Sequence, residues 1–426
     1  MQIKSLKEIC SLITKGTTPT SLGMKLNEGE INFIKVECLS EDGNIISSKM
    51  QKIDETTHDK LNRSKLQEGD ILYSIAGSIG RMAVVDSSIL PANTNQAVAI
   101  LRPIKDLIDT QYLFYFLKDT KSQKNAMRRI VQSVQTNLSL GELSSLEVAI
   151  PSHPMQIAIG NCMNNLDAKI ASNNALSKTL EDIVQTIFKS WFIDFDPVKA
   201  KMVGEKPTGM DAATSALFPD SFEESELGLI PKGWEVRSLD EISEYLNGLA
   251  MQKFPVIEEN EQLPVIKIAQ LRAGNTQGAD MASGLLDPKF IIKDGDILFS
   301  WSGTLEVETW TGGLGALNQH LFKVTGKNVP DWYSYLSTKS FLSFFREIAS
   351  GKATTMGHIQ RGHLSESKLA IPNSELLNRA TEIIEPLISL KIKTSIESRN
   401  LAEIRDSLLP RLISGELQIP KEMLAS

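Results

Sequence analysis

Two patterns of apolar and polar positions alternate along the chain. Short β-branched and aromatic runs bounded by Gly, Pro and Asn predict strands: "GDILYSIAG" and "QAVAILRP" in one stretch, "GDILFSWSG" and "HLFKV" in a later one. After each set, apolar residues recur at spacings of three and four, which predicts a long helix with a narrow seam. The first seam holds Ile159, Cys162, Leu166, Leu176, Leu180, Ile183 and Ile187; the second holds Ala380, Ile383, Leu387, Leu390, Leu401, Ile404 and Leu408. Both turn polar at one place, Lys169/Asn173 and Thr394/Glu397, and such a break fixes register at a cost in stability. Shorter helices are expected over 111–118, 122–132, 331–337 and 340–349.

The strand-rich stretches are related. Gly69, Asp70, Ile71, Leu72, Ser74 and Gly77 match Gly295, Asp296, Ile297, Leu298, Ser300 and Gly303 at an offset of 226. Leu6–Ile9 matches Leu239–Ile242 at 233, Ile34–Val36 matches Ile266–Ile268 at 232, and Asn95–Gln96 matches Asn318–Gln319 at 223. Val148–Pro151 matches Leu369–Pro372 at 221. Blocks in one order with a falling offset predict an internal duplication with loops shortened in the second copy.

The predicted fold class is α+β: two similar globules separated by an antiparallel two-helix coiled-coil spacer with pseudo-twofold symmetry. A narrow seam needs a partner, and the other long helix supplies one. The expected boundaries are a first globule at 1–153, a spacer helix at 154–193 and a linker at 194–230. A second globule at 231–373, a second spacer helix at 374–417 and a tail at 418–426 complete them. At about 1.5 Å per residue the first spacer helix would span about 60 Å. The linker, rich in Pro, Gly and acid without a period, is expected to be loop.

Composition is that of a globular chain, 41% hydrophobic and 23% charged over 426 residues. No apolar run approaches the roughly 20 residues of a membrane helix, and the amino terminus lacks the apolar core of a secretory signal. Cys10, Cys38 and Cys162 are scattered, which argues against disulfides or zinc and fits a reducing cytoplasm. No phosphate-binding loop, zinc-protease motif or dinucleotide loop is present, so no catalytic, cofactor or metal residues are assigned.

Two similar globules at a fixed separation suit two short half-sites on a duplex. Their loops carry residues able to meet base edges and phosphates. The first offers Lys15, Thr17, Thr18, Ser78, Arg81, Arg128, Arg129, Gln132, Gln135 and Asn137. The second offers Asn247, Gln252, Lys253, Ser302, Thr304, Lys352, Thr354, Thr355, His358, Gln360 and Arg361. Asn95 and Gln96, beside an apolar strand, are read instead as satisfying buried backbone groups. The net charge of −7 is a weak footprint for a protein that grips DNA alone. Residues 1–150 are near balance, and much of the acidity lies in 194–226, where Lys199, Lys201 and Lys206 face eight acids. Partner subunits are therefore expected to supply phosphate contacts. A non-catalytic coiled-coil scaffold or DNA-mimicking decoy without base readout is the alternative.

The stretches "LEDIVQTIFKSWFIDFDPVKAK" (180–201), "GMDAATSALFPDSFEESELGLIPKGWEVRSL" (209–239) and "RDSLLPRLISGEL" (405–417) resemble conserved regions of the specificity subunits of type I restriction-modification systems. The resemblance covers essentially the whole chain, and the order globule, helix, globule, helix matches. It implies that the globules are target-recognition domains reading a bipartite asymmetric double-stranded DNA sequence. It implies no catalysis by the chain itself. Two modification subunits would methylate adenine with S-adenosylmethionine held on those subunits, and restriction/translocation subunits would join the full complex, with no membrane involved. Phe188, Trp191, Phe192 and Phe195 exceed what one seam buries, so a modification subunit is expected to cover some of them; packing within the chain is the other reading.

Overall fold

The computed structural model describes residues 2–131, 137–258, 261–351 and 357–420, and the doubled phrase shows why its residues recur. Gly69 and Gly295 turn the chain with left-handed φ of 85° and 94°, a region glycine enters at little cost. The aspartate that follows accepts from its own turn, from the Gln67 N–H at 2.8 Å in one copy and the Lys293 N–H at 2.9 Å in the other. It also meets a cation of the adjacent strand. Arg102 grips Asp70 through Nε at 2.7 Å and Nη2 at 2.8 Å, and Lys323 Nζ lies 2.8 Å from Asp296. Ser74 and Ser300 then donate to the Ser78 and Thr304 carbonyls at 2.5 and 2.6 Å, stapling the loop after each strand. The phrase is a structural unit, and its shared aspartate and serine each have partners in both copies.

The chain divides into two α+β units, Met1–Lys169 with Leu401–Ser426, and Ile170–Asn400. In the first, a four-stranded sheet runs in the order Cys10–Lys15, Val98–Pro103, Ile71–Ser74, Met82–Val84, all antiparallel. A second sheet places Ile31–Ile34 between Gln51–Ile53 and Ala92–Thr94. Gln2–Ser5 pairs with Glu147–Ile150. The helix Thr110–Lys118 covers the core, and its Tyr112 hydroxyl donates to the Ala149 carbonyl at 2.6 Å.

The second unit repeats this order. Its antiparallel sheet is Ser243–Asn247, Leu321–Gly326, Ile297–Ser300, Val307–Thr309, and Glu235–Ser238 pairs with Lys368–Ile371. Its other sheet is Met281–Ser283, Gln262–Ile266, Gly315–Leu317, Ile291–Ile292. The helix Asp331–Ser340 lies over the core, with the Tyr333 hydroxyl 3.4 Å from the Ala370 carbonyl.

Two long helices, His153–Phe188 and Ser374–Ser414, contribute segments to both units. Within the second unit they run antiparallel, joined by Asn173 Nδ2 to Glu397 at 2.9 Å, Ser177 to Thr394 at 2.8 Å and Lys391 Nζ to Glu181 at 2.5 Å. Asn173 and Thr394 are buried, and they lie where both seams turn polar. Within the first unit Arg405 Nη1 meets Asp167 at 2.5 Å.

The buried stripe differs from the expected seam. Leu176, Ile183, Leu390 and Ile404 are 41, 41, 42 and 46% exposed, whereas Met163, Val184, Ile384, Ile388 and Leu409 are buried. The buried residues face the core of their own unit as well as the other helix. That widens the apolar face beyond the narrow stripe of a free-standing coiled coil and turns it by about one residue.

Two further expectations are corrected. The segment 194–230 is not loop: it forms the helices Asp196–Met202 and Ala212–Ala216 and most of the hairpin Phe222–Ser225/Gly228–Pro231. Asp211 caps the second helix through the Thr214 N–H at 2.8 Å and also takes Arg379 Nη2 at 3.0 Å. Phe188, Trp191 and Phe192 are buried, and Phe195 packs against them. They join Phe218, Trp234, Trp332 and Tyr333, with Phe192 ring centres 5.3 to 6.1 Å from Tyr333, Trp332 and Trp234. Phe188, Trp191 and Phe192 are thus covered by the core of the second unit itself, while Phe195 stays half-buried at its margin.

Candidate nucleic-acid interface

In an antiparallel sheet, the C-terminal ends of two strands flanking a third share an edge with the N-terminal end of that third. In the first unit that edge collects the loop after Lys15, the loop after Ser74 and the turn before Val98. Gly16 packs against this turn so tightly that an added Cβ would lie 1.9 Å from the Thr94 carbonyl oxygen. The Ile75 N–H donates to the Ala97 carbonyl at 2.9 Å, and the Leu138 N–H donates to Ile75 at 3.0 Å. Lys15, Thr17, Thr18, Ser78 and Asn137 are thereby brought to one edge. Arg63 Nη2 donates to Thr17 at 3.1 Å, and Thr18 donates to Gln96 Oε1.

The second unit gathers its loops the same way. A Cβ on Gly248 would lie 2.2 Å from the Asn318 carbonyl oxygen. The Trp301 N–H reaches the His320 carbonyl at 3.4 Å, and the Ile359 N–H donates to Trp301 at 3.0 Å. Half-buried Trp301 anchors the edge. Its indole N–H donates to Asn247 Oδ1 at 3.1 Å and the Gln319 carbonyl at 3.2 Å. Its ring centre lies 5.8 Å from His320 and 6.3 Å from His358. Asn247, Thr304 and His358 therefore share this edge, while Ile75 stands in place of the tryptophan in the first unit.

Other candidates do different work. Arg81 is ion-paired with Glu41 at 2.9 Å, and Arg129 ties its helix to Ser145 and the Glu142 carbonyl. Ser302 is buried, its hydroxyl 3.0 Å from His320 Nδ1. Arg361 Nη2 donates to the Tyr245 carbonyl at 3.3 Å, and its guanidinium lies over Phe322. Each of these four thus has a partner within the chain that a nucleic acid would have to share or displace. Arg128, Gln252, Lys253 and Gln360 are exposed. Gln132, Gln135, Lys352, Thr354 and Thr355 lie outside the described residues.

Sequence reasoning set Gln96 aside and did not single out Gln319. The Asn–Gln pair at offset 223 was the available signal, and its two residues have separate tasks. Asn95 Oδ1 accepts the Ala97 N–H at 3.2 Å and Asn318 Oδ1 accepts the His320 N–H at 3.2 Å, so the asparagine shapes the turn. The glutamine that follows is carried at the edge, exposed in the first unit and half-buried in the second.

Lys339 on Asp331–Ser340 meets Glu181 at 2.7 Å and Glu308 at 3.0 Å, with Lys391 completing a part-buried network. Burial pushes the Glu181 carboxyl up, but Lys391 and Lys339 outweigh it and hold it at about 2. Lys118, the counterpart of Lys339, instead meets Asp167 at 3.4 Å, and burial lowers its pKa. Burial pushes the Cys10 thiol up to about 12, which suits packing. Among the described residues no group of three or more His, Cys, Asp or Glu is placed to hold a metal, and no helix is long and apolar enough to cross a membrane.

Residues 1–182 and 231–405 match the family model of the type I restriction modification DNA specificity domain. The chain is 25% identical over 408 residues to the type I restriction enzyme HindI specificity subunit of Haemophilus influenzae, covering 83% of this chain and 88% of that one. It is 26% identical over 433 residues to the type I restriction enzyme MjaIX specificity subunit of Methanocaldococcus jannaschii, covering 98% and 93%. The crystal structure of the type I restriction-modification system S subunit from M. genitalium shares its fold, with a TM-score of 0.53 at 14% identity over 96% of this chain and 95% of that one. With both of its halves matched by the same family model, the chain belongs to the type I restriction modification DNA specificity family.

Proposed function

We propose that the chain is the sequence-reading subunit of a type I restriction-modification complex and recognises a bipartite, asymmetric DNA sequence. Each unit reads one half-site with the loop edge of its four-stranded sheet. The paired long helices act as the connector that sets the gap between half-sites, an internal duplication having supplied both halves. The chain performs no chemistry. Modification subunits carry S-adenosylmethionine and methylate adenine, and restriction/translocation subunits complete the assembly. The family match over both halves is the observation that carries the reading, and the parallel edges built by Gly16 and Gly248 support it. The unlike polar sets on those edges, Thr17, Thr18 and Arg63 against Asn247, Trp301 and His358, suit unlike half-sites. The net charge of −7 favours partners that supply much of the phosphate contact.

Footprinting of the chain assembled with its modification subunits tests this reading. Two short protected stretches separated by an unprotected gap are expected. An assembled complex that protects no bases would favour a scaffold or decoy.

A further inference from the structure

Gln96 and Gln319 occupy the same place in two matched turns. The carbonyl of the preceding asparagine accepts from the residue three along, Val98 at 3.2 Å and Leu321 at 3.0 Å, which puts the glutamine at the second position of each β-turn. Both turns are fixed without the glutamine side chain. The asparagine carboxamide closes each from within, Gly16 or Gly248 packs against its backbone, and Ile75 or Trp301 reaches the carbonyl of its third residue. A rigid turn whose projecting side chain has no part in building it is a suitable mount for recognition.

The neighbours of that side chain differ between units. In the first, Thr18 donates to Gln96 Oε1. In the second, Gln319 Nε2 lies 3.3 Å from His320 Nε2, while His320 Nδ1 is held 3.0 Å from Ser302 Oγ. Each amide is thus restrained at one atom, which cuts the rotamer entropy lost on contact with a ligand. Each also keeps further hydrogen-bonding capacity, because a carboxamide has two N–H donors and two acceptor lone pairs.

We infer that Gln96 and Gln319 are the paired base-reading residues of the two units, each hydrogen-bonding a base edge in its own half-site. The inference rests on the reading of the chain as a DNA-recognition subunit and assigns the specificity to particular atoms. A glutamine amide sets a donor beside an acceptor, the complement of adenine N7 and N6 in the major groove. Thr18 and His320 are positioning residues that aim the two amides.

The test uses the full chain, assembled in cells with its modification subunits, and reads the methylated motif by genome-wide adenine-methylation sequencing. Gln96→Ala is expected to relax one position in the half-site of the first unit and leave the other half intact. Gln319→Ala should do the reverse, each with a loss of base discrimination on the order of tenfold. The two variants are each other's folding control, since each must preserve the half-site it does not touch. Gln319→Glu, which keeps the shape but removes the donors, should lose discrimination at the same position as Gln319→Ala. A parent motif retained unchanged by both alanine variants overturns the inference while sparing the DNA-recognition reading. Either variant degrading both half-sites also overturns it. Absence of any defined bipartite motif with the parent chain would instead defeat the underlying reading.

Discussion

Glu181 illustrates how one side chain binds elements together. Its side chain is 13% exposed and its carboxylate meets Lys339 and Lys391 at 2.7 and 2.5 Å. The two lysines hold its pKa below the ordinary 4.5, at about 2. The folded state therefore gains stability from it above about pH 4.5 and loses that gain as pH falls toward 2. Glu181→Gln is expected to cost about 2 kcal/mol in chemical denaturation at neutral pH, because two part-buried lysines lose the nearer of their two carboxylates and keep only Glu308. It should also flatten the dependence of stability on pH between those limits; parental stability and an unchanged slope would contradict the account. The doubled aspartate gives a paired comparison. Asp70 is fully buried and bound twice by Arg102, whereas Asp296 takes one bond from Lys323. Asp70→Asn is expected to lower stability by about 2 kcal/mol and Asp296→Asn by less, measured by urea denaturation. The sequence displayed the repetition of these aspartates but not their partners, since Arg102 and Lys323 lie on strands brought alongside only by the fold.

The polar layer where both long helices change character makes a prediction at the scale of the element. Buried Asn173 and Thr394, bonded to Glu397 and Ser177 at the margin, place polar groups where a continuous apolar stripe would pack. Such layers usually specify register at a cost in stability. The double replacement Asn173→Leu/Thr394→Leu is expected to leave the thermal midpoint unchanged or raised, and a fall of more than about 5 °C would contradict this. The place of the layer was legible because period and its interruption are properties of the sequence alone. The buried stripe was less legible. Ile183 fits a heptad as well as Val184 does, and only the core of the unit decides that Val184 is covered. The segment 194–230 was misread for a similar reason. Its helices of seven and five residues are too short to display a period; the second is capped by Asp211, and Phe218 just beyond it packs on Trp191 and Trp234.

For the molecule as a whole, the claim is modularity: two units of one topology, each reading its own half-site. Sheet order, ribbon pairing and the covering helix recur in both, and the residues behind them were visible as repeated blocks. The edges were only partly visible. Lys15, Thr18 and Asn247 arrive there as their loops suggested, but Arg81, Arg129, Ser302 and Arg361 are drawn into structural bonds that loop composition does not reveal. The direct test exchanges residues 1–153 for the equivalent segment of a relative with a different specificity and sequences the adenine methylation laid down by the assembled complex. The account predicts a motif with one half replaced, the other half kept and the gap unchanged. A motif altered in both halves, or in neither, would contradict it.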